Sequence, residues 1–164
     1  MRNSPAKQIA FGGVFAALAL VIMNLGSLIP VATYVCPMLC MLILALVTKM
    51  CGNRIGWTWY GAVAILSCRM APDKEAAAVF VFLGFYPILK PRFDKMRFPI
   101  IPKLVFFNVL ILAMYWLLLK LLRMDQIAAE FAEMGKVLTA MMLVMGNLIF
   151  VLTDVALSRF ARFK

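Results

Sequence analysis

Apolar residues fall into six long blocks along the chain, and the short segments between them hold nearly all the charge. The blocks predict helices crossing a membrane at about 9–29, 34–48, 55–68, 76–89, 104–119 and 137–157. The fourth is short for a bilayer, which implies little tilt or partial shelter by neighbours. Between 124 and 136 the pattern changes. Ile127, Phe131, Met134 and Leu138 recur at helical spacing among polar residues. That pattern predicts a short amphipathic helix lying on the membrane surface. The fold class is therefore all-α: a polytopic six-transmembrane-helix bundle with short loops, forming one integral membrane domain over residues 1–164.

Boundary residues support the division. Pro30 ends the first block, and Pro37 sits near the start of the second, where a missing N–H costs least. Gly52 is a stop signal after the second. Pro72 followed by Asp73 fits a helix entry with Asp73 as N-cap, and Glu75 suits the positive end of the helix dipole. Phe85–Pro91 contains two prolines, which predict a kink and a stop. Trp57, Trp59 and Tyr60 open the third block, and aromatics clustered at the end of a span belong at the membrane–water interface.

The first block has two unlike faces. At about 100° per residue, Phe11, Val14, Phe15, Leu18, Val21, Ile22 and Leu25 share one arc. Gly12, Gly13, Ala16, Ala17, Ala19, Asn24, Gly26 and Ser27 fill the opposite one, broken by Leu20 and Met23. In lipid, small residues favour association because they let backbones approach closely. Such a face either packs inside the protein or docks a partner membrane protein. The apolar run continues well past Ala17-Leu18-Ala19, so the reading is a retained span and not a cleaved signal peptide.

Composition narrows the function classes. Of 164 residues, 65% are hydrophobic and the mean hydropathy is +0.98, against roughly 45–50% apolar residues in a soluble domain. There is no histidine and there are only seven carboxylates. That removes an imidazole base, a His-based metal site and a Ser-His-Asp arrangement, so neither an enzyme nor a metal or cofactor site is expected. Cys36, Cys40, Cys51 and Cys68 lack CxxC spacing and read as small apolar residues. The net charge of +10 reports topology and contact with anionic lipid rather than nucleic acid. With both termini cytoplasmic, twelve Lys/Arg lie inside and five outside (Arg69, Lys74, Lys120, Arg123, Lys136). The outer five are balanced by five acids, so each inner segment obeys the positive-inside rule of a cell (plasma or inner) membrane protein.

Asp154 is the one carboxylate within a block, and a charge in lipid needs a partner. Tyr86, Lys90, Lys103 and Asn108 lie at similar depth, and Asn147 lies about two turns away on the same helix. These residues form either a polar cluster that couples something on the inner side or a pin from Asp154 to Lys90 or Lys103. In the outer half, Asn24, Tyr34, Arg69, Asp73 and Glu75 could line a small-molecule pocket, with Lys74, Tyr115 and Trp116 nearby. Each could equally be an interface anchor.

Six spans in under 200 residues, cytoplasmic termini, very short loops and an Ala/Gly-rich first helix resemble the substrate-binding S components of energy-coupling-factor (ECF) vitamin transporters. In that family an Ala-xxx-Ala-like face on the first helix docks the transmembrane coupling subunit. Gly12, Gly13, Ala16, Ala17 and Ala19 match it in position and size. The resemblance implies capture of a vitamin-like small molecule on the outer face and transport with a coupling subunit and an ATPase pair. It carries over no ligand-binding residue. The chain itself has no Gly-rich phosphate loop. The length and span count also resemble the small rod-shape-determining membrane subunit of bacteria, which implies a scaffold without a pocket.

Overall fold

The computed structural model describes residues 5–25, 32–96, 100–121 and 125–162, and among these every regular element is helical. The helices are α1 (Pro5–Leu25), α2 (Ala32–Cys51), α3 (Asn53–Met70), α4 (Lys74–Leu83), α5 (Tyr86–Phe93), α6 (Ile100–Trp116) and α7 (Asp125–Arg162). A π-helical turn, Leu117–Leu121, extends α6. Five segments are long and apolar enough to cross a membrane: Ala6–Leu25, Thr33–Cys51, Lys74–Phe93, Ile100–Lys120 and Leu138–Phe160. The chain is thus a multi-pass membrane protein. α3 is not among the five, because Asn53, Arg54, Arg69 and three interfacial-type aromatics dilute its apolar character.

α2 is the central element, packing against α1, α3, α4, α5 and α7. On one side of it Ala19, Met23, Trp59, Val63 and Phe80 close a core with Cys40 and Leu44. On the other, Leu83, Tyr86, Phe107, Ile111, Met114 and Phe150 close a second with Met41. Lys49 Nζ donates to the Phe160 carbonyl at 3.1 Å, tying the C-terminal ends of α2 and α7 together. The same end holds the close of α5 and the start of α6, and here it is called the basic end. Tyr34, Asp73, Glu75 and Tyr115 gather at the opposite end.

Gly52 joins α2 to α3 as a one-residue link at φ 94°, a conformation that side chains rarely adopt. Asp73 caps α4 by accepting from the Glu75 and Ala76 amides at 2.9 and 3.0 Å, the arrangement expected from the sequence.

Most helices begin or end a few residues away from the sequence reading, and three boundaries and one residue role differ in kind. The segment 76–89 is not one helix: it breaks at Gly84-Phe85, ahead of both prolines, and α5 continues to Phe93. Pro87 lies in the first turn of α5, where its missing N–H leaves no gap, so it starts a helix instead of stopping one. α6 begins at Ile100 and not 104, because Pro102 falls in its first turn. Trp59 is not an interface anchor. It is 5% exposed and donates from Nε1 to the Gly12 carbonyl at 3.0 Å. Trp57, at 43% exposure, stays at the surface and stacks on Phe85. The backbone of α7 is helical from Asp125, with a break at Gly135 (φ 65°, ψ 172°). The surface placement expected for 124–136 rests on Ile127, Phe131 and Met134, whose side chains lie outside the described residues.

Candidate functional site

Two polar networks lie at opposite ends of the bundle, and each draws residues from three helices. At the basic end, Lys90 of α5, Lys103 of α6 and Asp154 of α7 converge. Asp154 Oδ1 accepts from Lys90 Nζ and, at 2.5 Å, from the Tyr86 hydroxyl. Lys103 Nζ reaches Asp154 Oδ2 at 3.0 Å and Asp94 Oδ1 at 2.5 Å. Lys90 also lies 3.6 Å from Asp94 Oδ2. The two lysine side chains are each 7% exposed, so desolvation would be costly without these carboxylates. Aromatic rings wall the cluster: Tyr86 lies against Phe150 at 4.9 Å between centroids, and Phe93 against Phe106 at 5.2 Å.

Of the residues expected to join Asp154, then, Tyr86, Lys90 and Lys103 do so. Asn108 and Asn147 do not. They exchange amide hydrogen bonds with each other at 2.9 and 3.2 Å, and each also donates to a carbonyl four residues back on its own helix. This reciprocal pair joins α6 to α7 without charge. Asp94, at the C-terminal end of α5, also belongs to the cluster. The signal was there, since it is the one acid among five bases between 90 and 103.

At the opposite end Glu75 Oε1 accepts from the hydroxyls of Tyr34 at 3.2 Å and of Tyr115, and the two hydroxyls also touch each other. Thr33 donates to Asp73 Oδ2 at 2.8 Å, so Asp73 ties α2 to α4 while capping α4. Of the expected pocket residues, Tyr34, Asp73 and Glu75 come together. Arg69 does not join them; it is exposed at the end of α3. Asn24 is exposed on α1 and donates to the Leu20 carbonyl at 2.8 Å. Tyr115 and Thr33 complete the network; Thr33 carries no signal in the sequence beyond adjacency to Tyr34.

Beside this network, Phe107, Ile111, Leu112, Tyr115 and Leu119 of α6 and its π-helical turn face Met142, Leu143 and Gly146 of α7 across a cleft of about 150 Å³. Tyr34 borders it from α2, and its lining is almost wholly apolar. At the basic end a larger cavity of about 500 Å³ lies between α2, α5 and α7, bordered by Thr48, Lys49, Pro87, Lys90, Asp94 and Phe160.

The small residues of α1 divide between two faces. Ala19 is fully buried, and Ala16 and Gly12 turn partly inward, Gly12 receiving the Trp59 hydrogen bond. Gly13 and Ala17 are exposed, alongside Phe11, Val14, Leu18 and Val21. A Cβ at Gly13 would meet nothing within 4 Å. The five-residue face is therefore partly used up by packing on α2 and α3, which leaves Gly13 and Ala17 at the surface. No family model matches the chain, and neither a curated protein nor a solved structure matches it.

Proposed function

We propose that this chain is an S-component-like membrane subunit of six spans that takes a small, vitamin-like molecule from the outer face and docks a coupling subunit through α1. The observation that carries the reading is the cleft beside Glu75, Tyr34 and Tyr115. Its volume of about 150 Å³ accommodates roughly one aromatic ring. The apolar walls hold such a ring, and Tyr34 and Tyr115, which border the cleft and are held by Glu75, meet its polar substituent.

α3 is the sixth crossing in this reading. A one-residue link joins it to α2, and a three-residue link (71–73) joins it to α4. Both neighbours belong to segments able to span, and a helix between such short links has to run back across. At about 27 Å it is long enough for the hydrocarbon core. The basic end faces the cytoplasm, following the excess of Lys and Arg there. A single cysteine introduced at Phe93 should then be shielded from an external thiol reagent, while one at Gln126 reacts. The reverse pattern would overturn the orientation.

Docking is tested on the exposed part of the α1 face. Gly13→Leu and Ala17→Trp should abolish co-purification with a coupling subunit and its ATPase pair while leaving ligand binding intact. Glu75→Gln and Tyr115→Phe should do the opposite, lowering ligand retention at least 10-fold with the partners still bound. Affinity purification from the native membrane, with identification of bound proteins and small molecules, reads both. Recovery of cell-wall or cytoskeletal partners with no ligand replaces this reading by the membrane scaffold.

A further inference from the structure

The charges at the basic end do not balance within the buried core of the cluster. Lys90 and Lys103, both 7% exposed, face one largely enclosed carboxylate, Asp154, which is 17% exposed. The second negative charge comes from Asp94, whose side chain is 44% exposed. Asp94 caps the C-terminal end of α5, its amide donating to the Lys90 carbonyl at 3.0 Å. A carboxylate at a helix C-terminus opposes the helix dipole, so helix stability does not account for an acid here. The two lysines do. Its backbone is ordinary right-handed helical (φ −65°, ψ −18°), so rotation of the side chain out to solvent needs no refolding.

Next to Asp94 and Lys90 opens the cavity of about 500 Å³, with Thr48 and Lys49 on its α2 wall. Lys49 already donates to the Phe160 carbonyl, and Arg92 and Lys95 flank Asp94 in sequence. Lys49 and Lys90 thus border the cavity against one acid, Asp94, and the cavity is larger than an aspartate carboxylate requires. We propose that Lys90 and Lys103 form a binding site for a phosphate-type oxyanion, which enters through this cavity and takes the place of Asp94. Lys90 borders the cavity, and Lys103 meets it through Asp94, which it contacts at 2.5 Å. Ammonium groups in a low-dielectric setting bind phosphate oxygens through short charge-assisted hydrogen bonds. Asp154 stays in place, with Tyr86 donating to it, and keeps the lysines positioned when Asp94 leaves. The oxyanion is either free phosphate or the phosphodiester of an anionic lipid, since basic pockets between spans on the cytoplasmic side suit both. The site is independent of the cleft at the other end and stands whether or not that cleft binds a ligand.

The test uses the full chain in detergent, with inorganic phosphate as probe at constant ionic strength. Asp94→Asn removes the internal competitor and should bind phosphate at least 10-fold more tightly than the parent protein. Asp94→Glu keeps the charge and should bind like the parent. Adding Lys90→Gln to Asp94→Asn should abolish saturable binding, with helix content confirming the fold. A readout that leaves all four charges in place is alkylation of Thr48→Cys from the cavity, which phosphate should slow several-fold. The source is resolved in nanodiscs carrying Asp94→Asn. If phosphatidylglycerol raises the melting temperature over phosphatidylcholine and competes with phosphate, the oxyanion is a lipid headgroup; if it does neither, the oxyanion is a soluble one. Equal phosphate affinity in the parent and Asp94→Asn, or alkylation of Thr48→Cys that phosphate leaves unchanged, would overturn the proposal.

Discussion

Asp154→Leu is expected to destabilise the protein by about 3–5 kcal/mol, the range for breaking a buried ion pair by removing one partner. The cost arises because Lys90 and Lys103 stay buried while their shared carboxylate disappears. Asp94 cannot make up the loss, since it already serves both lysines from a half-exposed position. The Tyr86 hydroxyl, otherwise enclosed by Phe93 and Phe150, also loses its acceptor. In a chain of this size that corresponds to a fall in melting temperature on the order of 10 °C, read by circular dichroism in detergent. Replacing the lysines as well, in Asp154→Leu with Lys90→Met and Lys103→Met, should recover much of the loss, because an apolar set of similar volume avoids desolvation altogether. Unchanged or higher melting of Asp154→Leu alone would show that the cluster is not a structural pin, and would shift weight to a role in coupling.

Gly84→Ala is expected to cost about 2–3 kcal/mol, although it adds a single methyl group. A Cβ at Gly84 would lie 2.3 Å from the Phe80 carbonyl oxygen and 3.0 Å from the Phe80 ring. The oxygen is backbone and cannot swing aside. Relief requires opening the α4–α5 break, where Tyr60 donates to the Val81 carbonyl and Trp57 stacks on Phe85 at 6.2 Å. Both contacts tie α3 to the break, so the substitution should also raise the exposure of Trp57, read by fluorescence quenching. Gly61→Ala is the matched control. It lies within α3 with nothing within 4 Å of a new Cβ, and helix propensity makes it neutral or stabilising by about 0.5–1 kcal/mol. Equal melting of the two variants would show that the break has room that its geometry does not suggest.

The sequence by itself determined which stretches are helical and apolar, because membrane-crossing helices satisfy their own backbone hydrogen bonds and need only length and composition. It determined the Asp73 cap, which involves amides two and three residues away. It also singled out Asp154 as a charge in need of a partner, and Lys90 and Lys103 as the groups at the right depth. Depth could be counted along each helix, but rotation about each helix axis could not. Rotation is what separates Asn108 and Asn147 from the Asp154 cluster, and what turns Ala19 inward while Gly13, less than two turns earlier, faces out. The Tyr34–Glu75–Tyr115 network joins residues 40 and 41 positions apart, and its geometry exists only once α2, α4 and α6 are side by side. The helix break likewise fell at Gly84 and not at the prolines. A proline in a first turn is compatible with either outcome, and it was the approach of the Phe80 carbonyl and ring that left room at residue 84 for nothing but hydrogen. Local periodicity thus set the elements, and the packing of neighbours around α2 decided which polar groups meet.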